Sequence, residues 1–225
     1  MGIIQDIYQM PADTKQEEVL ALIDKLNADP EINGLMVQLP APEQIDADAL
    51  LKRIDPNKDV DALTPANIGQ LWMENHFVEP ATAEGIIALL KHYQITLAGK
   101  RVVVIGRSNI VGKPVAALML EENATVTVCH LYTKNLAEIT RQADIVVSAT
   151  GQAFLVTADM VKDGAVVVDV GMNHVNGKLV GDVDFDNVKE KASYITPVPG
   201  GVGPLTVQFL MEAVVKLTRR QNGRE

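Results

Sequence analysis

RVVVIGRSNIVGKPVAALMLEE, residues 101–122, is the stretch that decides the fold. Residues 102–105 form an unbroken apolar run, and a strand that is apolar on both faces belongs inside a parallel sheet. Residues 106–112 read as a loop. Residues 114–122 read as a helix with proline in its first turn, where a missing N–H costs nothing. A glycine after such a strand lets the backbone approach a pyrophosphate, and the helix start offers free N–H groups and the positive end of a dipole. The usual dinucleotide fingerprint is G-x-G-x-x-G. Here Ser108 stands where the middle glycine belongs, and the last glycine comes one residue late, at Gly112. On glycines alone, a tight strand-to-helix turn that binds nothing is an open alternative.

Two features beside the loop favour a cofactor. Arg107, directly after Gly106, offers a planar charged fork to a phosphate. The next strand ends at Cys129-His130, and no Asp or Glu follows through Asn135. An acidic residue at that strand end normally holds the ribose hydroxyls of NAD. Its absence, with Lys134 nearby, favours NADP, although Lys134 reads equally well as a solvated loop charge.

Downstream, the alternation continues. Strands are expected at residues 125–129, 145–149, 165–170 and 194–196, helices at 135–142 and 157–161, and a closing helix at 205–219. Repeated strand–helix–strand order predicts an α/β protein with a Rossmann-like, doubly wound parallel sheet over residues 83–204. Upstream, the spacing predicts a smaller α/β domain over residues 1–82. Its expected elements are a strand at 3–9, an amphipathic helix at 14–27 capped by Asp13 or Thr14, a buried strand at 34–39 ending at Pro40, and a helix at 45–54. Residues 55–82, rich in Asp, Asn and Pro, read as one long loop, which in a compact domain is usually functional. A helix at 83–93 follows. The closing helix, 205–220, is expected to pack back on the first domain, since the sheet is complete before it.

The chain has 225 residues, 47% hydrophobic and 22% charged, with a net charge of −9. Such a charge repels phosphate backbones and anionic lipid, so nucleic acid and membrane are poor partners. The apolar runs are strand-sized, too short to span a bilayer, and nothing at the start resembles a signal peptide. A single cysteine, Cys129, allows no internal disulfide and fits the cytoplasm. Four scattered histidines and one cysteine give no plausible metal-ligand spacing.

Three separated segments share an identity. EEVLALIDKLNADPEINGLMVQLP (residues 17–40), GRSNIVGKP (106–114) and PVPGGVGPLT (197–206) together closely resemble the methylenetetrahydrofolate dehydrogenase/cyclohydrolase family. KDVDAL (58–63) and PATAEGI (80–86) match two further family blocks with changes. The resemblance implies a two-domain enzyme, usually a homodimer, with folate in the cleft between domains. It would oxidise 5,10-methylenetetrahydrofolate by hydride transfer to NADP, then hydrolyse the product to 10-formyltetrahydrofolate. It assigns Asp61 to the pterin N–H groups, a role that suits a carboxylate because it accepts two hydrogen bonds from one flat edge; the alternative for Asp61 is a turn cap. Gln38 would orient the reacting group, or else is a satisfied polar residue ending a buried strand. Pro40, Gly200, Gly201 and Pro204 would line the folate site, the glycines permitting close approach and Pro204 opening the last helix. Gly106, Arg107, Ser108, Gly112, Leu131 and Met172 would line the NADP site.

The sequence departs from the family in places. The family's first segment carries a Tyr-x-x-x-Lys motif whose lysine serves the hydrolysis step. No such spacing follows Tyr8, Tyr93, Tyr132 or Tyr194. A start truncated ahead of residue 3 is the expected explanation; a degenerate, non-catalytic NADP-binding or dimerising remnant is the competing one. A different NADP dehydrogenase is a third reading. The aspartate block, usually Asp-Gly, is Asp61-Ala62 here, Ala81 and Ala83 replace a Cys and a Pro, and Leu131 replaces a common polar residue.

Overall fold

The protein is described by a computed structural model covering residues 2–224. Five parallel strands, β1 (Arg101–Ile105), β2 (Thr125–Cys129), β3 (Ile145–Ser148), β4 (Val166–Asp169) and β7 (Tyr194–Ile195), form one sheet in the order β2-β1-β3-β4-β7. This is the doubly wound arrangement, with its topological switch between β1 and β3. Alternation along the strands feeds two cores. Val102, Val104, Ile145, Val147, Val166 and Val168 face a layer containing α4 (Ala81–His92) and α5 (Gly112–Glu121). Val103, Ile105, Val146 and Val167 face the other side, which holds Ile139 of α6 (Leu136–Thr140) and Val188 ending α7 (Phe185–Val188).

Two elements in this region were not anticipated. A hairpin joins β5 (Asn173–Val175) to β6 (Lys178–Val180) through Asn176-Gly177, both at positive φ. Asn-Gly is the pair that a two-residue hairpin turn demands, so the signal was present. The short α7 is the other. The helix expected at 157–161 is a single 3-10 turn, Ala158–Met160.

The leading region differs more from expectation. Residues 3–9 form no strand: Ile4 is 91% and Ile7 79% exposed, and no ladder partner lies beside them among the described residues. Residues 34–39 form no strand either, only the bridge Leu35↔Asp59. A strand needs a neighbour to take its N–H and C=O groups, whatever its sequence pattern. The helices fare better. α1 (Gln16–Ala28) and α2 (Ala47–Arg53) pack around Ile23, Leu50, Leu51 and Ile54. Neither Asp13 nor Thr14 caps α1: its N-cap is Lys15, with no side-chain bond, and the Thr14 hydroxyl donates backward to the Pro11 carbonyl. The supposed loop 55–82 contains α3 (Pro65–Trp72), capped by the Thr64 hydroxyl, with Pro65 in the first position.

The closing helix α8 (Val202–Gln221) starts earlier than expected and lies along α4. Its Ala213 and Leu217 bury Val60, Ala62 and Val78, while Gln221 bonds the carbonyls of Asn33 and Asn57. Lys216 joins Glu79 at 3.2 Å and Glu84 at 2.9 Å. Burial, then the charge of Glu79, pushes the Glu84 carboxyl up; burial works against the Lys216 charge, but the two carboxylates prevail and raise it.

Candidate functional site

The loops that follow β1 and β3 diverge at the switch point, and crevices there bind ligands in open α/β sheets. Gly106, at φ +120°, closes β1; a Cβ on it would lie 2.2 Å from the Ala149 carbonyl oxygen after β3. A Cβ on Gly112 would lie 2.2 Å from the Gly106 carbonyl oxygen. Both glycines are therefore fixed by backbone packing: strand end, helix start and neighbouring loop touch one another directly.

Ser108 explains the altered fingerprint. Its hydroxyl accepts from the N–H groups of Val111 (3.1 Å) and Gly112 (3.3 Å), and its carbonyl accepts from Lys113 (3.0 Å). Pro114 has no N–H. The first turn of α5 is thus already satisfied, contrary to the expectation that the helix start would offer free donors. The unengaged donors are one step earlier: no protein acceptor among the described residues meets the N–H groups of Arg107, Ser108, Asn109 or Ile110. Successive loop N–H groups of this kind form an anion-binding concavity. The Arg107 guanidinium stands 6.0 Å from the centre of the Tyr132 ring, which places it between the loops after β1 and β2. Leu131, 89% exposed, follows β2, and Met172, 72% exposed, follows β4. The sequence-predicted cofactor residues thus all sit at the carboxyl edge of the sheet.

The KDVDAL block separates structural from available groups. Lys58, buried, donates to the carbonyls of Leu26 (3.1 Å), Asn27 (2.7 Å) and Asp29 (2.6 Å), tying off the end of α1. Asp59, also buried, accepts from Thr64 N–H (2.7 Å) and Asn67 Nδ2 (2.9 Å), holding the start of α3. Val60 packs on α8. Asp61 alone has no hydrogen-bond partner for its side chain among the described residues; burial, then the nearby Asp59 charge, pushes its carboxyl up to about 6. The turn-cap role thus belongs to Asp59, and Asp61 is a half-buried carboxylate without a donor. Ala62 follows at φ +53°, a conformation that favours the glycine usual in this block.

Gln38 is exposed rather than ending a buried strand, and its amide donates to the Leu39 carbonyl at 3.2 Å. Pro40 follows, exposed. Gly200, at φ +99°, turns the chain ahead of α8; a Cβ on Gly201 would lie 2.5 Å from the Pro197 carbonyl oxygen. Pro204 is the third residue of α8 rather than its opening. Gly200, Gly201 and Pro204 line an apolar hollow of about 380 Å³ with Tyr93 and Tyr194. None of the other predicted site residues reaches that hollow. Its walls are mostly apolar, and the convergent polar groups described above lie instead at the carboxyl edge of the sheet.

Two buried acids escaped the sequence reading. Asp169, ending β4, accepts from the N–H groups of Gly171, Asp182 and Val183, each at 2.9 Å. Asp182 accepts from Ser148 Oγ, the N–H and Oγ1 of Thr150, and Asn173 Nδ2. Both lie beneath the same carboxyl edge.

Comparison with known proteins shows the family. Residues 80–222 match the model of the tetrahydrofolate dehydrogenase/cyclohydrolase NAD(P)-binding domain, and residues 1–61 that of the family's catalytic domain. The bifunctional protein FolD of Lactobacillus acidophilus is 86% identical over 225 residues, all of this chain and 80% of the relative. The crystal structure of the Campylobacter jejuni FolD methylenetetrahydrofolate dehydrogenase/cyclohydrolase is 50% identical with a TM-score of 0.89, over 93% of this chain and 75% of that one. The Trypanosoma brucei enzyme, complexed with NADP cofactor and inhibitor, is 44% identical with a TM-score of 0.89, over 94% and 75%.

Proposed function

The chain belongs to the tetrahydrofolate dehydrogenase/cyclohydrolase family, and on that premise we propose that it oxidises 5,10-methylenetetrahydrofolate to 5,10-methenyltetrahydrofolate with NADP, in the pathway branch that ends in hydrolysis to 10-formyltetrahydrofolate. The observation that carries this reading is Asp61: in a block whose other polar groups are all engaged, one carboxylate is half-buried and unpartnered. A pair of N–H donors on the edge of a pterin would meet both its oxygens and relieve the burial penalty.

The residues present fit NADP. The donors at residues 107–110 suit a pyrophosphate, Arg107 suits the additional phosphate, and no acid after β2 competes with it. NADP, when bound, takes up the hydride that the methylene carbon gives up. The protein's part in such a step is placement: Asp61 holds one ring system and the loop after β1 anchors the other. We assign the folate side to residues 1–82 with the closing helix 205–220, and the cofactor side to residues 83–204. Gln38, Pro40, Gly200, Gly201 and Pro204 border the folate, while Gly106, Arg107, Ser108, Gly112, Leu131 and Met172 border the NADP.

The hydrolysis step needs a proton carrier, and general acid–base help is worth about a hundredfold or more. The Tyr-x-x-x-Lys lysine that the resemblance implies for it does not occur in these 225 residues. The competing reading is an NADP-binding remnant of the family without turnover. The reading further extends to a cytoplasmic homodimer that binds neither nucleic acid nor membrane, in keeping with a net charge of −9. Among the described residues no helix is long and apolar enough to cross a membrane.

The test follows NADPH formation with 5,10-methylenetetrahydrofolate, beside direct NADPH titration. Turnover supports the dehydrogenase. Binding without turnover supports the remnant, and neither binding nor turnover overturns both.

A further inference from the structure

We propose that Asp182 is a positioning residue for the cofactor, acting through the loop after β3 and without touching the ligand. The inference rests on the NADP reading above. Asp182 has no solvent exposure, so it cannot meet a bound dinucleotide itself. Its Oδ2 gathers the Thr150 N–H at 2.6 Å, the Thr150 hydroxyl at 2.9 Å and the Ser148 hydroxyl at 3.1 Å. These groups end β3 and begin the loop on one side of the switch point. Ala149, between them, is the residue whose carbonyl oxygen lies against Gly106. The position of the glycine loop is therefore tied to the position of a carboxylate 76 residues later, from 106 to 182.

Asp182 is in turn held rigidly. Its own N–H and that of Val183 are bound by Asp169, which also holds Gly171 at the end of β4. A Cβ on Gly171 would lie 2.2 Å from Asp182 Oδ1, and one on Gly181 would lie 1.8 Å from Asp169 Oδ2, so no side chain can loosen the pair. Thr196, at the foot of the PVPGGVGPLT segment, accepts from the Asp169 N–H at 2.8 Å. The buried acid pair thus sets the ends of β3 and β4, and the backbone of the same residue, Asp169, meets the approach to the last loop. Every oxygen of both carboxylates accepts at least one hydrogen bond, as buried acids require. This arrangement fixes geometry; it offers no free oxygen for proton transfer.

The distinguishing feature is the asymmetry of Asp182. Three donors converge on Oδ2, but Oδ1 meets only Asn173 Nδ2, at 3.0 Å. In Asp182→Asn the amide oxygen can keep the three donors while Asn173 turns its own amide to accept the new N–H. Asp182→Ala leaves all of them without an acceptor. Titrating NADPH into the whole chain and both variants, with thermal unfolding in parallel, tests the assignment. Asp182→Ala should weaken NADPH binding about tenfold, the scale of one lost hydrogen bond to a charged acceptor. Asp182→Asn should stay within about threefold of the parent. Equal NADPH affinity in the parent and in folded Asp182→Ala overturns the inference and leaves the NADP reading standing. A parent chain that binds no NADPH overturns both. If Asp182→Ala does not fold, Ser148→Ala serves: Ser148 is fully buried and cannot reach the cofactor, so a loss of more than about threefold supports positioning, and affinity within about threefold of the parent refutes it.

Discussion

In the sheet around β1, every central strand lies between two partners, and each apolar side chain has a core on its own side of the sheet. In residues 2–40, the segments with strand-like patterns make a single bridge, from Leu35 to Asp59 in the turn beyond them, and Ile4 and Ile7 face solvent. The amino-acid pattern is similar in the two regions; the supply of neighbours differs. In the sheet, partners arrive soon along the chain, the widest step running from Val102 in β1 to Ile145 in β3, so a local pattern and its ladder come together. The comparison teaches that alternation specifies which face a residue would show, while pairing decides whether a strand exists.

The same difference governs the two halves of the proposed site, one for the cofactor and one for the folate. The cofactor half is built on the paired sheet and its backbone is locked at Gly106, Ser108 and Gly112. The folate half hangs on the KDVDAL turn, braced by Lys58 and Asp59. If the halves are energetically separate, Asp61→Ala should lower folate affinity at least about a hundredfold, the sum of two hydrogen bonds to a charged acceptor. NADPH affinity should not change. Isothermal titration with each ligand checks this. Loss of both affinities would mean that the halves are one cooperative unit, and unchanged folate affinity would remove Asp61 from the site.

Stability offers a sharper contrast. Val104 is fully buried in the middle of β1, and Val104→Ala should cost about 2–3 kcal/mol by urea unfolding, through lost burial and an unfilled space. Ile4→Ala removes more carbon but from an exposed segment, and should cost less than about 0.5 kcal/mol. Comparable costs would show that residues 3–9 are covered in solution, and the contrast between regions would collapse.

A pH measurement probes the Asp61 environment. Burial and the Asp59 charge lift its carboxyl from 3.8 to about 6 in the native chain. An acid raised on folding binds its proton more tightly in the native state, so its contribution is favourable at low pH and lost as pH rises from about 4 through about 6. Relative to the parent, Asp61→Asn should therefore gain about 1–2 kcal/mol of stability between pH 4 and pH 7.5, after allowance for partial exposure. Denaturation at the two pH values gives the difference; no change would mean that solvent reaches the carboxylate freely.

The legible parts of the molecule share one property: their signals are local. β1, its glycine loop and α5 could be read because apolar run, glycine and helix start lie within 22 residues. α3 and the β5–β6 hairpin carried local signals too, Thr64-Pro65 and Asn176-Gly177, which went unread beside a polar composition that suggested loop. Asp182 carried none. In GDVDFDNVKE it looks like one more surface acid, and only folding brings Ser148 and Thr150 to it from more than 30 residues away. Ser108 was legible as a departure from the fingerprint but not as a cap, because capping depends on the turn its own hydroxyl creates.

A near-cancelling effect is expected at Ala62, and it bears on how well the turn of the proposed folate half is fitted. Ala62 sits at φ +53° with no exposure. Left-handed geometry costs a non-glycine residue roughly 1–2 kcal/mol, which Ala62→Gly would relieve. Against that, the substitution gives up a buried methyl, about 0.8 kcal/mol, and adds roughly 0.5–1 kcal/mol of unfolded-state freedom. The opposing contributions nearly cancel, so Ala62→Gly should shift the unfolding free energy by less than about 1 kcal/mol in either direction. A loss of more than about 2 kcal/mol would mean that the methyl, wedged against Val60 and α8, matters more than the backbone angle. A gain near 1 kcal/mol would mean that this turn stores strain beside Asp61 of a kind the tightly paired sheet does not carry at Gly106.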